Sequence, residues 1–560
     1  MCAAKKKEGS QPIYQIKAER NAYVKMRDGT GIAVDIFRPD AAEKFPVLLA
    51  MSPYGKEMQS CIPPQGKDSF MAIGSQEAGN TEYIVSRGYV HIVIDVRGTG
   101  KSEGKYTCMF SKQEAEDGYD LVEWAAQQPW CDGNVGMVGI SYFGVIQWLV
   151  AAEQPPHLKA IFPYDSFGDF YRDANYPGGI LELFFWQIWR TIAKKNPVSV
   201  TVEDKPPEEL QRLVEEAKKN ADIRMYPWLY MILETPNTHP HFFDVMLNPN
   251  DGPFYWERSA CTKYDKIKVP AFCGTGWHAY SYWHLTGTFR NYLGIKVPKK
   301  LLIDPPAFHA RPWHDMHDLI IQWYDHWLKG IDTGIMDEPP IKIFVMGDNE
   351  WRYENEWPLA RTKWTKYYLR AWEGLSLEQE PYYDEPDCFV QQPPIMTSTV
   401  NSLKFVTQPL AHDVEVTGPM ALYLYASIDQ DDTNWFVSLK DVDGQGAEKE
   451  VTKGLLKASH RAIDENKSKP WQPYHTHLKP EPVEPNEICE YAIEIRPTSN
   501  VFKKGHRIKL EIKSLETVMS YRGMANIPPY HMCSHKTTVH RIYRDKVHQS
   551  HLLLPIIPRD

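Results

Sequence analysis

The sequence predicts an α/β protein whose parallel sheet carries a helical insertion and is followed by an all-β unit. Three observations predict it. Short apolar runs alternate with helix-compatible segments through the first part of the chain, the pattern of parallel strands joined by crossover helices. One such run, Val135 to Ile140, meets Gly139-Ile-Ser141-Tyr-Phe-Gly144 and passes straight into an apolar helical segment. That is the order of strand, serine turn and helix in a nucleophile elbow, although one residue longer than the usual G-x-S-x-G. Beyond about Pro339 the period changes to short alternating runs between Pro, Gly and Asp turns, most simply a sandwich of jelly-roll type.

In chain order, residues 1 to 11 read as a frayed terminus. Tyr14 to Phe37 alternates around Arg27-Asp28-Gly29-Thr30, an antiparallel hairpin. Phe45 to Met51 and Tyr89 to Val96 are continuous apolar runs, each ending in a loop: Ser52-Pro53-Tyr54-Gly55 and Arg97-Gly-Thr-Gly-Lys-Ser102. Glu114 to Gln127 has helical spacing, with Leu121, Trp124 and Ala125 on one face. The serine turn and its helix follow, then Leu158 to Pro163 as a further strand. From about Ser166 to Trp256 the alternation breaks into helices (LELFFWQIWRTIAKK, EELQRLVEEAKKNADI) and aromatic segments, where a cap would sit over the sheet. Val269 to Gly274 and Lys300 to Asp304 resume the strands, and His317 to Lys329 is helical. The runs KIFVMG, TKYYLR, MALYLYASI, WFVSLKDV, CEYAIEI and HRIKLEI belong to the all-β unit. The expected division is therefore 1–165 and 257–345 for the α/β core, 166–256 for the helical cap and 346–560 for the jelly roll.

Composition bounds the function. A chain of 560 residues exceeds one compact domain. Its net charge of -9, with no basic block beyond Lys5–Lys7, argues against a nucleic-acid surface. Nine scattered cysteines give neither a disulfide framework nor a zinc ribbon. The N-terminus lacks the apolar stretch of a signal peptide, and no run of apolar residues is long enough to span a membrane. A soluble, cytoplasmic protein with no membrane partner is expected. The 18 Trp and 31 Tyr suit an apolar or aromatic pocket, and large cores also consume them. Aromatic surface on the all-β unit permits a homodimer without indicating one.

The phrases DVRGTGKSEG (Asp95 to Gly104) and GISYFGVIQW (Gly139 to Trp148), with SLKDVDGQG, GLLKASHR and SNVFKKGHRIKLEI, resemble the cocaine esterase and X-Pro dipeptidyl peptidase family of serine hydrolases. That family includes α-amino acid ester hydrolases. The resemblance runs over nearly the whole chain and implies an α/β-hydrolase domain, an inserted helical cap and a C-terminal jelly roll. It places the nucleophile at Ser141, one oxyanion donor at the Tyr142 amide and the other at the Tyr54 hydroxyl. It puts the base at His309, in Pro306-Ala307-Phe308-His309, where the family phrase has tryptophan at the place of Ala307. The chain departs from the family at Gly276-Trp277-His278-Ala279, where Ala279 stands at the place of the triad aspartate.

Three readings of that loss compete: an acid relocated to Asp165, on the strand after the nucleophile; a Ser141–His309 dyad; or a scaffold with altered chemistry. A bland role for Asp165 is an N-cap to the first cap helix, and Asp169 reads as structural. The loop from His309 to Asp318 concentrates histidine and aspartate, with His278 and His284 upstream, but its spacing fits no standard zinc motif. No metal and no cofactor are expected. Arg97 to Ser102 fails the phosphate-loop pattern, because Asp95 stands where its first glycine belongs. Trp186, Trp189, Trp277 and His278 are candidate pocket residues, against the commoner role of such stripes in packing. The expected function is a serine hydrolase cleaving a small-molecule ester or amide through an acyl-enzyme. The alternatives are an X-Pro dipeptidyl peptidase or amino-acid ester hydrolase, and a non-hydrolytic descendant performing acyl transfer, C–C bond chemistry or binding.

Overall fold

The computed structural model describes residues 9–59, 77–184, 189, 197–278, 284–306, 316–516 and 531–559, together with the backbone of 519–521 and 524–527. One large sheet organises the first part of the chain. Its strands are β1 (Ile16–Lys25), β2 (Gly31–Pro39), β3 (Phe45–Ser52), β4 (Val90–Asp95), β6 (Cys131–Ile140), β7 (Leu158–Tyr164), β9 (Ala271–Gly276), β10 (Lys299–Asp304), β11 (Ile341–Val345) and β12 (Glu350–Glu354). Two short strands, β5 (Tyr106–Thr107) and β8 (Pro197–Val198), pair with each other outside it. The order across the sheet is β1-β2-β4-β3-β6-β7-β9-β10-β11-β12. From β4 through β11 neighbouring strands run parallel, while β1, β2 and β12 are antiparallel additions.

The central strands are mainly apolar because both faces are covered. Every residue of β3 and of β4 is buried. Successive residues feed opposite layers: Leu49 and Met137 join one core with Trp148, whereas Leu48 and Val138 join the other with Trp323. Helices α1 (Lys112–Ala126) and α2 (Tyr142–Ala152) cover one face, and α6 (His317–Lys329) the other. The direction of strand progression reverses between β3 and β6. That crevice, outside the carboxyl ends of parallel strands, is where ligands bind in sheets of this kind.

The insertion between β7 and β9 contains α3 (Pro207–Lys219) and α4 (Pro240–Leu247). The predicted helix EELQRLVEEAKKNADI is broken at Asn220, whose side chain accepts a hydrogen bond from Asp222 N at 2.9 Å and starts a new short helix. Most of the predicted helix LELFFWQIWRTIAKK lies outside the described residues. Helix α5 (His284–Gly294) precedes β10.

The run KIFVMG does not belong with the C-terminal unit. It supplies β11, which lies parallel to β10, and the hairpin partner β12 extends the first sheet to Glu354, past the expected boundary at 345. Alternation shows that a segment is a strand but not which sheet it joins, and a parallel neighbour far back in the chain has no local signal.

Eleven of the remaining strands form a second, mainly antiparallel sheet, and Met519–Tyr521 and Met524–Ile527 pair with each other apart from it. Its last strand, His551–Ile557, pairs with both Lys363–Arg370 and Val414–Ile428, so the sheet closes into a barrel. Arg172 of the insertion fixes this unit to the first. Its guanidinium reaches Asp169 (3.0 Å), Asp251 (2.7 Å) and the carbonyls of His475 and Thr476 (3.0 Å each). Among the described residues no helix is long and apolar enough to cross a membrane.

The loops after β3 and β4 are held from below by buried charge. Lys56 is 1% exposed and donates to Asp35 and to Asn21, both at 2.7 Å. Asp95 accepts from Lys56 N (2.7 Å) and Lys101 N (2.9 Å), and its carboxylate fills the space a side chain at Gly100 would need. Replacing Lys56 by methionine takes the buried ammonium from Asp35 and leaves it the half-exposed Arg20 and the Asn21 amide. The expected loss is about 3–5 kcal/mol, the usual cost of breaking a buried pair from one side. It is read as a lowered urea midpoint against wild type.

Candidate active site

Ser141 ends β6 and opens α2 with φ 58° and ψ -114°. A non-glycine residue there is strained by about 1–3 kcal/mol and persists only where its surroundings over-determine it. They do so here. Ile140 N donates to Glu77 O (2.9 Å), Ser141 N to Tyr164 O (3.0 Å) and Val145 N to Ser141 O (2.8 Å). The two glycines have separate reasons. A Cβ at Gly139, whose φ is 142°, would lie 2.2 Å from Phe143 Cβ. At Gly144 it would lie 2.5 Å from the carbonyl oxygen of Tyr164, so this glycine lets the helix close on β7. The extra residue in the motif follows: close approach falls at Gly144, and Phe143 is accommodated by the missing side chain at Gly139.

Tyr54, after β3, faces this turn across the crevice. Its hydroxyl is hydrogen-bonded with Ser141, and burial together with the nearby Glu77 carboxylate keeps its pKa well above the ordinary phenol value. It stays protonated and able to donate. Gly55, with φ 87°, makes the turn that follows. The ring of Tyr54 meets Tyr142, Phe143 and Trp189 edge-on, with centroids 5.8 to 6.0 Å apart. Trp189 in turn stacks flat on Tyr142 at 5.9 Å.

Behind Tyr142 lies a buried polar network that sequence reasoning missed. The Tyr142 hydroxyl reaches both oxygens of Glu114, at 2.7 and 2.8 Å, and stands 2.9 Å from the Tyr106 hydroxyl. Phe110 N donates to the same carboxyl at 3.1 Å. Burial pushes the Glu114 pKa up to about 8, so the carboxyl holds a proton at neutral pH. Glu114 looks like an ordinary acidic residue in the first turn of α1, and only its i, i+3, i+7 relation to the buried Asp117 and Leu121 hints that it faces inward.

Asp165 follows β7, the strand beside β6. In register Ile140 pairs with Tyr164, so Ser141 and Asp165 are the next residues on adjacent parallel strands. Asp165 is fully buried, has φ 44°, and its amide donates to Gly274 O at 2.8 Å. It is not the cap of the first helical turn in the insertion. Asp169 has that role, accepting from Tyr171 N (3.0 Å) and Arg172 N (2.9 Å), in line with the structural role expected of it.

His309, Ala279 and Trp186 lie outside the described residues, as does most of the loop from His309 to Asp318. In the part that is described, Asp318 accepts from the Tyr83 hydroxyl and His317 packs on the Tyr83 ring. Of the candidate pocket residues, Trp189 sits against the site, but Trp277 and His278 are engaged elsewhere. The Trp277 indole donates to Phe344 O and its ring lies against Phe289 and Trp357. His278 Nε2 is 3.2 Å from Val451 O of the second unit. Both sit where the two units meet, and long-range packing of that kind leaves no mark at a W-H dipeptide. The turn Arg97–Ser102 spends its polar groups internally: Ser102 Oγ bridges Asp95 O (2.6 Å) and Ala33 N (2.8 Å).

A strained serine at the switch point of a parallel sheet, with a hydroxyl donor across the crevice, is the arrangement of a hydrolase acting on ester or amide bonds. The chain belongs to the X-Pro dipeptidyl-peptidase (S15) family, whose model matches residues 28–311. The X-Pro dipeptidyl-peptidase C-terminal non-catalytic domain matches residues 333–553, so the first unit is catalytic and the barrel-containing unit is not. Cocaine esterase of Rhodococcus sp. (strain MB1 Bresler) is 28% identical over 600 residues, which covers 96% of this chain and 98% of that one. A CocE/NonD family hydrolase of Staphylococcus aureus superposes with a TM-score of 0.77 at 25% identity, over 97% of this chain and 93% of its own. An α-amino acid ester hydrolase shares the fold, with a TM-score of 0.73 at 18% identity, covering 99% and 98%.

Glu114 sets a pH dependence of stability. Its pKa is about 8 in the folded protein against 4.5 for the free side chain, so between those values the folded state holds a proton that the unfolded state has lost. Stability from this group is complete below 4.5 and falls as pH rises toward 8, by about 1.4 kcal/mol per unit over the window. Glu114→Gln removes that slope: its melting temperature should fall less than wild type's between pH 6 and pH 9.

Proposed function

We propose that the chain cleaves a small-molecule ester or amide through an acyl-enzyme on Ser141. The observation that carries this reading is the strained turn at Ser141 hydrogen-bonded to Tyr54. Ser141 Oγ attacks the substrate carbonyl while His309, which follows β10 in the sequence, takes its proton. The oxyanion forms between the Tyr54 hydroxyl and the Tyr142 amide at the start of α2, two donors already oriented before charge develops. His309 returns the proton to the leaving group, then activates the water that releases the acid.

Asp165 is the acid of this triad, fixing the imidazole tautomer and balancing the imidazolium. Its support is position: buried at the carboxyl edge of the sheet, one strand from the nucleophile. The aromatic lining of Tyr54, Tyr142 and Trp189 favours an apolar acyl or aromatic group. No segment of the sequence clearly supplies carboxylates for a free amino terminus, so a xenobiotic or secondary-metabolite ester or amide is preferred to an X-Pro peptide. The insertion between β7 and β9 acts as the cap of this pocket, and the closed C-terminal barrel is a flattened jelly roll packed against it.

A fluorophosphonate probe and a series of p-nitrophenyl acyl esters test the assignment. Ser141→Ala should neither label nor turn over, and unchanged turnover in that variant would sink the proposal. Asp165→Asn should lower kcat by about four orders of magnitude if the acid is relocated there, whereas a rate within a few-fold of wild type removes Asp165 from the triad. Tyr54→Phe should cost about 10²–10³ in kcat through the lost oxyanion donor.

A further inference from the structure

The insertion and a loop of the catalytic domain bring together three residues of metal-binding type outside the serine turn. Helix α4 carries His241 and Asp244 three residues apart, which sets both side chains on one helix face. Facing them is Cys108, in the loop after β5. The sulfur of Cys108, a ring nitrogen of His241 and a carboxylate oxygen of Asp244 all lie within 4.8 Å of one another. All three residues are buried, at 0%, 2% and 0% exposure.

His241 is the anomaly. Neither ring nitrogen has a hydrogen-bond partner among the described residues. A buried polar group left so costs about 1–3 kcal/mol and is uncommon in native proteins. Its ring packs edge-on against Tyr106 with centroids 4.8 Å apart. Asp244, in contrast, is held rigidly: it accepts from Ser199 Oγ (2.5 Å), Val200 N (3.0 Å) and Thr201 N (3.1 Å), at the start of the helix Val200–Asp204. The Thr201 side chain is hydrogen-bonded with the same carboxylate, so a cation at Asp244 would take the place of one of these donors on an oxygen already fixed in position.

We propose that Cys108, His241 and Asp244 bind a divalent cation of the zinc class, buried between the insertion and the catalytic domain. Sulfur, imidazole and carboxylate are all zinc donors, and tetrahedral ligation at 2.0–2.3 Å places donor atoms roughly 3.5 Å apart. The present donor atoms, all within 4.8 Å of one another, must draw together to reach that spacing. On binding, the Cys108 S–H bond breaks, its proton leaves to solvent and the sulfur–metal bond forms, so thiolate and carboxylate together neutralise the dication. Arg258 is hydrogen-bonded with Cys108 and donates to Phe254 O at 2.8 Å, as outer-shell groups of metal thiolates do. Its own charge is offset by Glu257 at 3.4 Å.

The three ligands straddle a loop and a helix far apart in the chain, so the cation braces the wall behind Tyr142 through Tyr106, whose hydroxyl meets that of Tyr142. Three protein donors leave the fourth tetrahedral position to a water, and Ser141 is not among the ligands.

The test is metal content. Full-length protein expressed with added zinc and dialysed should retain about one zinc per chain, and Cys108→Ala and His241→Gln should each lose it. Because either variant can fail to fold, the wild-type protein is also produced in cobalt medium, where ligation by Cys108 gives a thiolate-to-cobalt charge-transfer band. Phenanthroline should lower the melting temperature of the wild type and leave His241→Gln unmoved. Wild-type protein without stoichiometric zinc and without the cobalt band overturns the proposal, as does zinc retained equally by both variants.

Discussion

The constraint on which the rest depends is the turn between β6 and α2. It forces Ser141 into a backbone conformation that costs free energy, and everything around it is arranged to hold that conformation. Glu77 and Tyr164 supply carbonyls to the amides on either side of the turn. Gly139 and Gly144 remove the two side chains that would keep the helix from the sheet. The helix that results is buried along its whole length, which is why it reads as apolar on every face rather than amphipathic. A strained turn can be kept only by a stiff core, and covering both faces of the parallel sheet supplies one.

The second requirement is that loops from different strands hold their places around the turn. Here buried charge is used where packing alone would not specify a loop. The Lys56–Asp35 pair and the Asp95 carboxylate tie the loops after β3 and β4 to each other, and Tyr54 lies between those anchors and the crevice. Arg172 does the same at the junction with the barrel, linking two aspartates of the insertion to two backbone carbonyls. Such networks add little net stability against an apolar core, but they admit few alternative geometries.

Much of this was legible in the sequence for a physical reason. A strand covered on both faces must be a short unbroken apolar run, so β3, β4 and β7 announced themselves, and a serine between glycines after such a run fixed the elbow. What was not legible depends on neighbours distant in the chain. Nothing in Ile341–Val345 says that it pairs with β10 rather than with the barrel, nor in Trp277 that its indole answers Phe344. Glu114 reads as a surface acid favourable near a helix N-terminus, yet it is the buried partner of Tyr142. Cys108, His241 and Asp244 meet only because the insertion folds back over the loop after β5.

The proposed triad takes its acid from Asp165, just past β7, in place of position 279, which follows β9 in the sequence. Parallel strands lie about 4.8 Å apart, and β7 separates β6 from β9. The imidazole of a base carried after β10 has to present one nitrogen to Ser141 and the other to a carboxylate. The left-handed conformation of Asp165 and the hydrogen bond from its amide to Gly274 fix its backbone independently of any helix cap. In the proposed arrangement an acid kept at 279 as well would add a second carboxylate to the same histidine, and the two would repel. Loss at one position and strain at the other are, on this reading, two parts of one exchange.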